Sequence, residues 1–190
     1  YNKFKDLNYL MDFTDMLTGF LEFETKPPLK ALIVDEAQDL SALQWKCVHR
    51  LAQDVEHVYI AGDDDQAIYK WAGADPEHFI ELEGNEIYLE QSYRVPRKVH
   101  DVALNIVKRI RNRRHKTWIP REEEGRVSYH NSYEHIDYSE GDWLFLARNN
   151  YLLNSVEDHL RTNGHFYTRN NKSSVNENLL EAIKDWEQLR

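Results

Sequence analysis

Cysteine, glycine and positive charge are all scarce in this chain. The single cysteine, Cys47, excludes an internal disulfide and any cysteine-based zinc site, and points to a reducing, cytoplasmic setting, bacterial or that of a phage host. No apolar run approaches the roughly 20 residues that a membrane-spanning helix requires. Residues 1–12 have no basic stretch leading into an apolar one, so neither a span nor a secretory signal is expected. The seven glycines stand at 19, 62, 73, 84, 125, 141 and 164, and none opens a G-x-x-x-x-G-K-[S/T] loop. That excludes a Walker-type phosphate cradle within these residues. Lys and Arg number 24 against 33 Asp and Glu, a formal charge of -9 that, taken alone, argues against a nucleic-acid partner. With 41% apolar residues in 190, the chain can still bury the core of one domain or of two small ones.

The charge is unevenly placed. Residues 1–91 carry a net -12 and residues 92–190 a net +3, and ten of the 17 later basic residues fall between Arg94 and Arg121, with Asp101 the one acid among them. An organisational boundary is expected near residue 91, with an anion-attracting segment beyond it. That basic segment has two readings, a solvated helix face or a phosphate contact involving Arg109, Arg111 and Arg113.

Helical spacing of Phe4, Leu7, Leu10, Met11, Leu17 and Phe20 predicts one or two opening helices. The continuous apolar runs 31–34 (ALIV), 58–61 (VYIA) and 87–89 (IYL) each stop at polar residues. They read as strands covered on both faces, as in a parallel sheet with flanking helices. Between the first two, Ser41 can cap a helix carrying Leu43, Val48 and Leu51. This is α/β architecture with its chemistry at the carboxyl ends of the strands. Beyond residue 91, helices are expected from Val99 to Ile110, from Tyr151 to Leu160 and from Leu179 on. Strands are expected over 126–129, 143–147 and 166–167, with a polar loop over 170–178.

Two features at the strand ends carry chemistry. Asp35 and Glu36 follow the first strand, where one carboxylate can hold Mg²⁺ and the other can accept a proton from an attacking water. For the bare pair, an acidic loop capping the next helix is the simpler reading. Against it stand Gln38-Asp39, which follow at once, and the second strand's end, Gly62-Asp63-Asp64-Asp65-Gln66. Three consecutive carboxylates repel one another unless a cation or backbone N–H groups offset them.

With these residues in view, LIVDEAQDLS (32–41), IAGDDDQAIYKWAGAD (60–75) and LEQSYRVP (89–96) resemble motifs II, III and IV of superfamily 1 DNA helicases of the UvrD/Rep/PcrA type. Residues 9–17 (YLMDFTDML) resemble the Asp-Phe segment before motif II, and residues 143–160 resemble a strand and helix of the second motor domain. The resemblance implies an incomplete RecA-like P-loop NTPase sheet over 1–91, the C-terminal part of a first motor domain. Residues 92–190 would then begin a second, ending near its insertion. It further implies ATP and Mg²⁺ as cofactors, with Asp35 and Glu36 at the metal and Glu36 activating water. Gln66 would sense the γ-phosphate, Tyr93 stack on adenine, Arg94 reach the γ-phosphate, and Trp71 and Tyr69 stack on bases of single-stranded DNA. The activity implied is ATP-driven 3′ to 5′ translocation and opening of duplex junctions, in repair or replication, by a longer protein of which this segment alone would be inactive.

Departures from the pattern are Ala72, where many relatives have Arg after the Trp, and Ser92 and Val95 in place of Asn and Ser around Tyr-Arg. Nothing resembles motifs V and VI. Two rivals remain, a degenerate nucleic-acid-binding module without turnover and a carboxylate-metal nuclease built on Asp35, Glu36, Asp39 and the Asp63, Asp64, Asp65 cluster. His130 and His135 read as surface histidines, and Cys47 as a small packing residue.

Overall fold

The computed structural model describes residues 1–189. They divide into two compact units, one spanning residues 1–127 and one running from Ser128 onward. The charge changes sign near residue 91, inside the first unit, so compactness and charge divide the chain at different places.

The first unit opens with α1 (Asn2–Asn8) and α2 (Phe13–Glu22). Tyr9 ends α1 in the left-handed region, and Asp12 starts α2 through a reciprocal capping box with Asp15. Buried Lys5 lies between the two carboxylates, 2.8 Å from Asp12 and 2.6 Å from Asp15, and fixes the angle between the helices. Those hydrogen bonds hold the Lys5 ammonium well above the ordinary lysine value and Asp12 well below the carboxylate range.

The sheet is the parallel pair β1 (Ala31–Val34) and β2 (His57–Ile60), in register Ala31 with His57 through Val34 with Ile60. The crossover helix α3 (Ala42–Ala52) starts at Ser41 as expected, through a capping box with Gln44. It turns Trp45 and Cys47 inward, and the Cys47 thiol reaches the Leu17 carbonyl of α2 at 3.7 Å. The Trp45 ring, only 1% exposed, stacks at 4.7 Å on His78 of α4 (Pro76–Ile80). The expectation of a strand covered on both faces does not hold for β1. Leu32 and Val34 are half-buried while Ala31 and Ile33 are exposed, so within this chain one face of β1 is covered rather than both.

The expected third strand is absent from the sheet among the described residues. Residues 87–89 form no ladder; Ile87 and Leu89 are exposed, and pairing is limited to one parallel bridge between Gln91 and Ile119. The stretches 126–129 and 143–147 likewise form no ladder. A strand exists through a hydrogen-bonded neighbour, and apolar sequence alone does not provide one. After residue 91 comes α5 (Arg97–Val107), whose buried His100 sits 2.8 Å from the Trp118 carbonyl. A carbonyl only accepts, so Nε2 of His100 carries the proton.

In the second unit, α6 (Leu153–Thr162) buries Leu160, and Tyr138 makes edge-on ring contacts with Trp143, Phe145, His159 and His165. Residues 166–167 are not the ladder; it is β3 (Thr168–Arg169) against β4 (Lys172–Ser173). Asn170 and Asn171 join them with φ of 51° and 61°, so the supposed polar loop opens with the left-handed pair that a two-residue hairpin requires and that Asn tolerates. The unit ends with α7 (Glu177–Gln188). No helix among the described residues is long and apolar enough to cross a membrane.

Candidate nucleotide and nucleic-acid site

Both strands of the parallel pair release their chains at the same edge. The ladder runs past β1 and β2: Ala61 donates to the Val34 carbonyl at 2.8 Å, and Ala37 donates to the Ala61 carbonyl at 3.0 Å. Asp35 and Glu36 therefore emerge beside Gly62 and Asp63. Glu36 has φ 51° and ψ 40°, the left-handed region that a non-glycine residue enters at a cost of about 1–3 kcal/mol. Its backbone N–H is held by Asp35 Oδ1 at 2.9 Å, and the turn presents both carboxylates to solvent.

Gln38, 1% exposed, joins the two strand ends. Its amide nitrogen donates to Glu36 Oε2 at 2.8 Å and its amide oxygen accepts from the Asp63 N–H at 3.0 Å. The functional importance of this side chain escapes a reading of carboxylates alone; the signal is its place two residues after Glu36, where a 3-10 turn (Ala37–Asp39) folds it back. The bridge explains Gly62. A Cβ there would lie 2.6 Å from Gln38 Oε1, 3.0 Å from Phe79 Cζ and 3.2 Å from the Ala37 nitrogen. Since buried Gln38 has nowhere to withdraw, Gly62→Ala should lower stability by about 1–3 kcal/mol, the range for overpacking a tight interior. Denaturant unfolding of the intact protein measures this, and an unchanged midpoint would show that the two loops part without cost.

The acidic triplet is neutralised by the chain itself. Asp65 forms a two-pronged pair with Arg113 at 2.7 and 2.6 Å. Asp64, with a side chain 3% exposed, accepts from the Arg114 N–H at 2.8 Å and from the Lys116 ammonium. Asp63 pairs with Lys116 at 2.7 Å and accepts from the Asp65 N–H and from the Gln66 amide, the latter at 2.7 Å. All six carboxylate oxygens thus have a donor, which meets the repulsion raised by the sequence. Burial works against ionisation of Asp63, but the Gln66 hydrogen bond and the Lys116 ion pair outweigh it and hold its pKa below the ordinary carboxylate value. Lys116, disfavoured as a cation by burial, is raised by its hydrogen bonds and ion pairs with Asp63 and Asp64.

Part of the basic segment is accordingly internal. Arg113, Arg114 and Lys116 serve the acidic triplet and Glu86, so the phosphate-contact reading no longer has Arg113 at its disposal; Arg109 and Arg111 are exposed. Their even spacing and sign gave no hint of this division, because ion-pair partners about 50 residues away in sequence leave no periodic mark.

The expected stacking residues stand apart from the core. Trp71 is 83% exposed on a 3-10 turn (Lys70–Ala72), with the Tyr69 ring 6.4 Å away. Gly73, at φ 97°, closes that turn, and Asp75 donates to the Leu40 carbonyl at 2.8 Å, so the aromatic loop is tied to the loop that carries Glu36. Tyr93 is also 83% exposed, beside exposed Arg94. Their turn is shaped by Ser92, whose hydroxyl accepts from Arg94 N–H at 3.4 Å and Val95 N–H at 3.2 Å.

Among the described residues no group of three or more His, Cys, Asp or Glu side chains is arranged to hold a metal ion. Mg²⁺ does not need such a cage, since it takes one or two carboxylates and completes its shell with water and phosphate oxygens. Exposed Asp35, with Oδ1 held by Glu36 N–H, fits that limited role. His130 and His135 are both exposed, and burial raises the Cys47 thiol above its ordinary pKa, in keeping with packing rather than nucleophilic use.

Residues 1–86 match the family model of the UvrD/REP helicase N-terminal domain. Over 192 aligned residues covering 92% of this chain, the sequence is 28% identical to ATP-dependent DNA helicase PcrA of Bacillus subtilis, of which it covers 25%. It is 28% identical to ATP-dependent DNA helicase PcrA of Staphylococcus aureus over 74% of this chain and 21% of that protein. With DNA helicase II of Haemophilus influenzae the identity is 31% over 67% of this chain and 20% of the relative. These similarities support a UvrD-like relationship, and the chain spans a quarter or less of the length of these relatives.

Proposed function

We propose that this segment supplies the hydrolytic half of a nucleotide site and part of the track for single-stranded DNA in a longer ATP-dependent 3′ to 5′ DNA helicase. In this reading residues 1–91 belong to a first RecA-like motor domain and residues 92–190 to a second. The observation that supports it most is the connected path Glu36–Gln38–Asp63–Gln66 at the carboxyl ends of two parallel strands, with exposed Trp71 on the loop that follows.

Each residue then has a task. Glu36 takes the proton of the attacking water, while Gln38 holds one carboxylate oxygen and leaves the other for that proton. Asp35 would hold Mg²⁺, which when bound neutralises charge on the terminal phosphates. Asp63 can only accept hydrogen bonds, so Gln66 must face it with its amide nitrogen. The Gln66 oxygen and second N–H are then left toward solvent, an acceptor for water and a donor for a phosphate oxygen. Tyr93 stacks on adenine, and Arg94 contributes positive charge where it develops on the phosphate. Trp71 and Tyr69 offer π faces to successive bases, which gives grip without sequence preference. Alone, without a phosphate loop, the 190 residues turn over no ATP.

The nuclease alternative loses its acidic triplet, because the oxygens of Asp63, Asp64 and Asp65 are already engaged by Lys116, Arg113, Gln66 and backbone N–H groups. The test is ATP hydrolysis and DNA binding by the full-length protein. Single-stranded DNA should stimulate turnover, and Trp71→Ala should weaken DNA binding by about 1–3 kcal/mol, the value of one base stack. Equal binding by the two proteins, or DNA cleavage without ATP, would overturn the reading.

A further inference from the structure

We infer that Lys116 is a positioning residue for Gln66, acting through Asp63; the inference rests on the phosphate-sensing role proposed above for Gln66. The relay is short. Lys116 Nζ lies 2.7 Å from Asp63 Oδ1, and Asp63 Oδ2 accepts from Gln66 Nε2 at 2.7 Å. Lys116 is itself built in. Its side chain is 17% exposed, it also meets Asp64 and Asp65, and its strand of chain is pinned by the Arg114 N–H on Asp64 and by the Arg113 fork on Asp65.

The chemistry of Asp63 makes this more than packing. As a carboxylate it has no proton to give, so the Gln66 amide has one orientation, nitrogen inward and oxygen outward. Without the Lys116 ammonium, Asp63 stands beside Asp64 and Asp65 with one cation fewer, and like charges so close favour protonating one of them. A protonated Asp63 becomes a donor, and the Gln66 amide turns over to meet it with its oxygen. The group presented to water and phosphate is thereby inverted, although no residue at the nucleotide has changed. Lys116 thus sets which end of Gln66 faces the reaction.

The experiment uses the full-length protein and steady-state ATP hydrolysis with and without single-stranded DNA. Lys116→Met should lower DNA-stimulated kcat about tenfold, the size of one misoriented hydrogen bond, with KM for ATP in the absence of DNA unchanged. In a Gln66→Ala background the same change should add less than about twofold, because residues acting as one unit are not additive. Lys116→Arg, which keeps the charge, should restore most of the stimulation. Asp63→Asn covers the case in which Lys116→Met does not fold: Lys116 keeps Asp64 and Asp65, and the new amide faces Gln66 with a donor. It should reproduce both the loss and the non-additivity. Full stimulation in Asp63→Asn or Lys116→Met, or losses that multiply with Gln66→Ala, would overturn the inference while the helicase reading stands. If the unmodified protein shows no DNA-stimulated turnover, the helicase reading itself falls and takes this one with it.

Discussion

Glu36→Gln in the full-length protein should reduce ATP turnover by about 10²–10⁴-fold, the range for loss of a positioned general base, while leaving nucleotide affinity nearly intact. The local geometry makes this a clean substitution. Gln38 donates to one Glu36 oxygen at 2.8 Å, and an amide in place of the carboxylate still offers an oxygen to that donor. The left-handed backbone at position 36 and the Asp35 contact to its N–H depend on the main chain, so the turn should persist. What disappears is the ability to take a proton. Single-turnover hydrolysis separates the two effects from nucleotide binding measured directly. Turnover within a few-fold of the unmodified protein would remove Glu36 from the chemistry, and with it the reason for the strain at that position.

The strand-end motifs were legible in sequence for a physical reason. Two short apolar runs, each stopped by carboxylates, specify parallel strands and the edge at which their loops meet, and Ser41 with Gln44 writes its helix start in plain residues. Pairing was less legible. Residues 87–89 and 143–147 are as apolar as β1, yet a strand requires a partner at hydrogen-bonding distance, and that depends on where other chain lies. The hairpin at Asn170 and Asn171 reads as loop in sequence because its residues are polar, although paired Asn residues in the left-handed region define a tight turn.

Electrostatics showed the widest gap between composition and structure. The negative triplet calls for a cation or backbone N–H groups, and the positive run reads either as a solvated helix face or as a phosphate contact. In the folded chain they partly satisfy each other, through Asp65 with Arg113 and through Asp63 and Asp64 with Lys116. Coulomb attraction over a few ångströms in a half-buried setting far exceeds its value in water, so internal pairing can use charges that sequence alone assigns to partners. Gln38 stands out little in sequence for a related reason: it is a neutral amide beside six carboxylates, but its ability to donate at one end and accept at the other is what joins their loops.

Arg94 differs from Arg113 and Arg114 in this respect, and a large effect follows. Its backbone N–H rests on the Ser92 hydroxyl, its side chain is exposed, and it makes no ion pair among the described residues. An exposed guanidinium with no ion pair can take an anionic ligand, the role proposed for it above. Arg94→Ala should therefore lower DNA-stimulated kcat by about 10³-fold or more, the magnitude associated with an arginine that stabilises charge on a transferring phosphoryl group. KM for ATP should move much less, since the interaction strengthens as charge develops. Arg94→Lys should recover little, because an ammonium is a point charge without the planar fork that spans two phosphate oxygens. Steady-state kinetics at saturating single-stranded DNA distinguish the outcomes. A rise in KM with kcat preserved would make Arg94 a ground-state binding contact, and recovery by lysine would show that charge suffices where the geometry of the fork is proposed to matter.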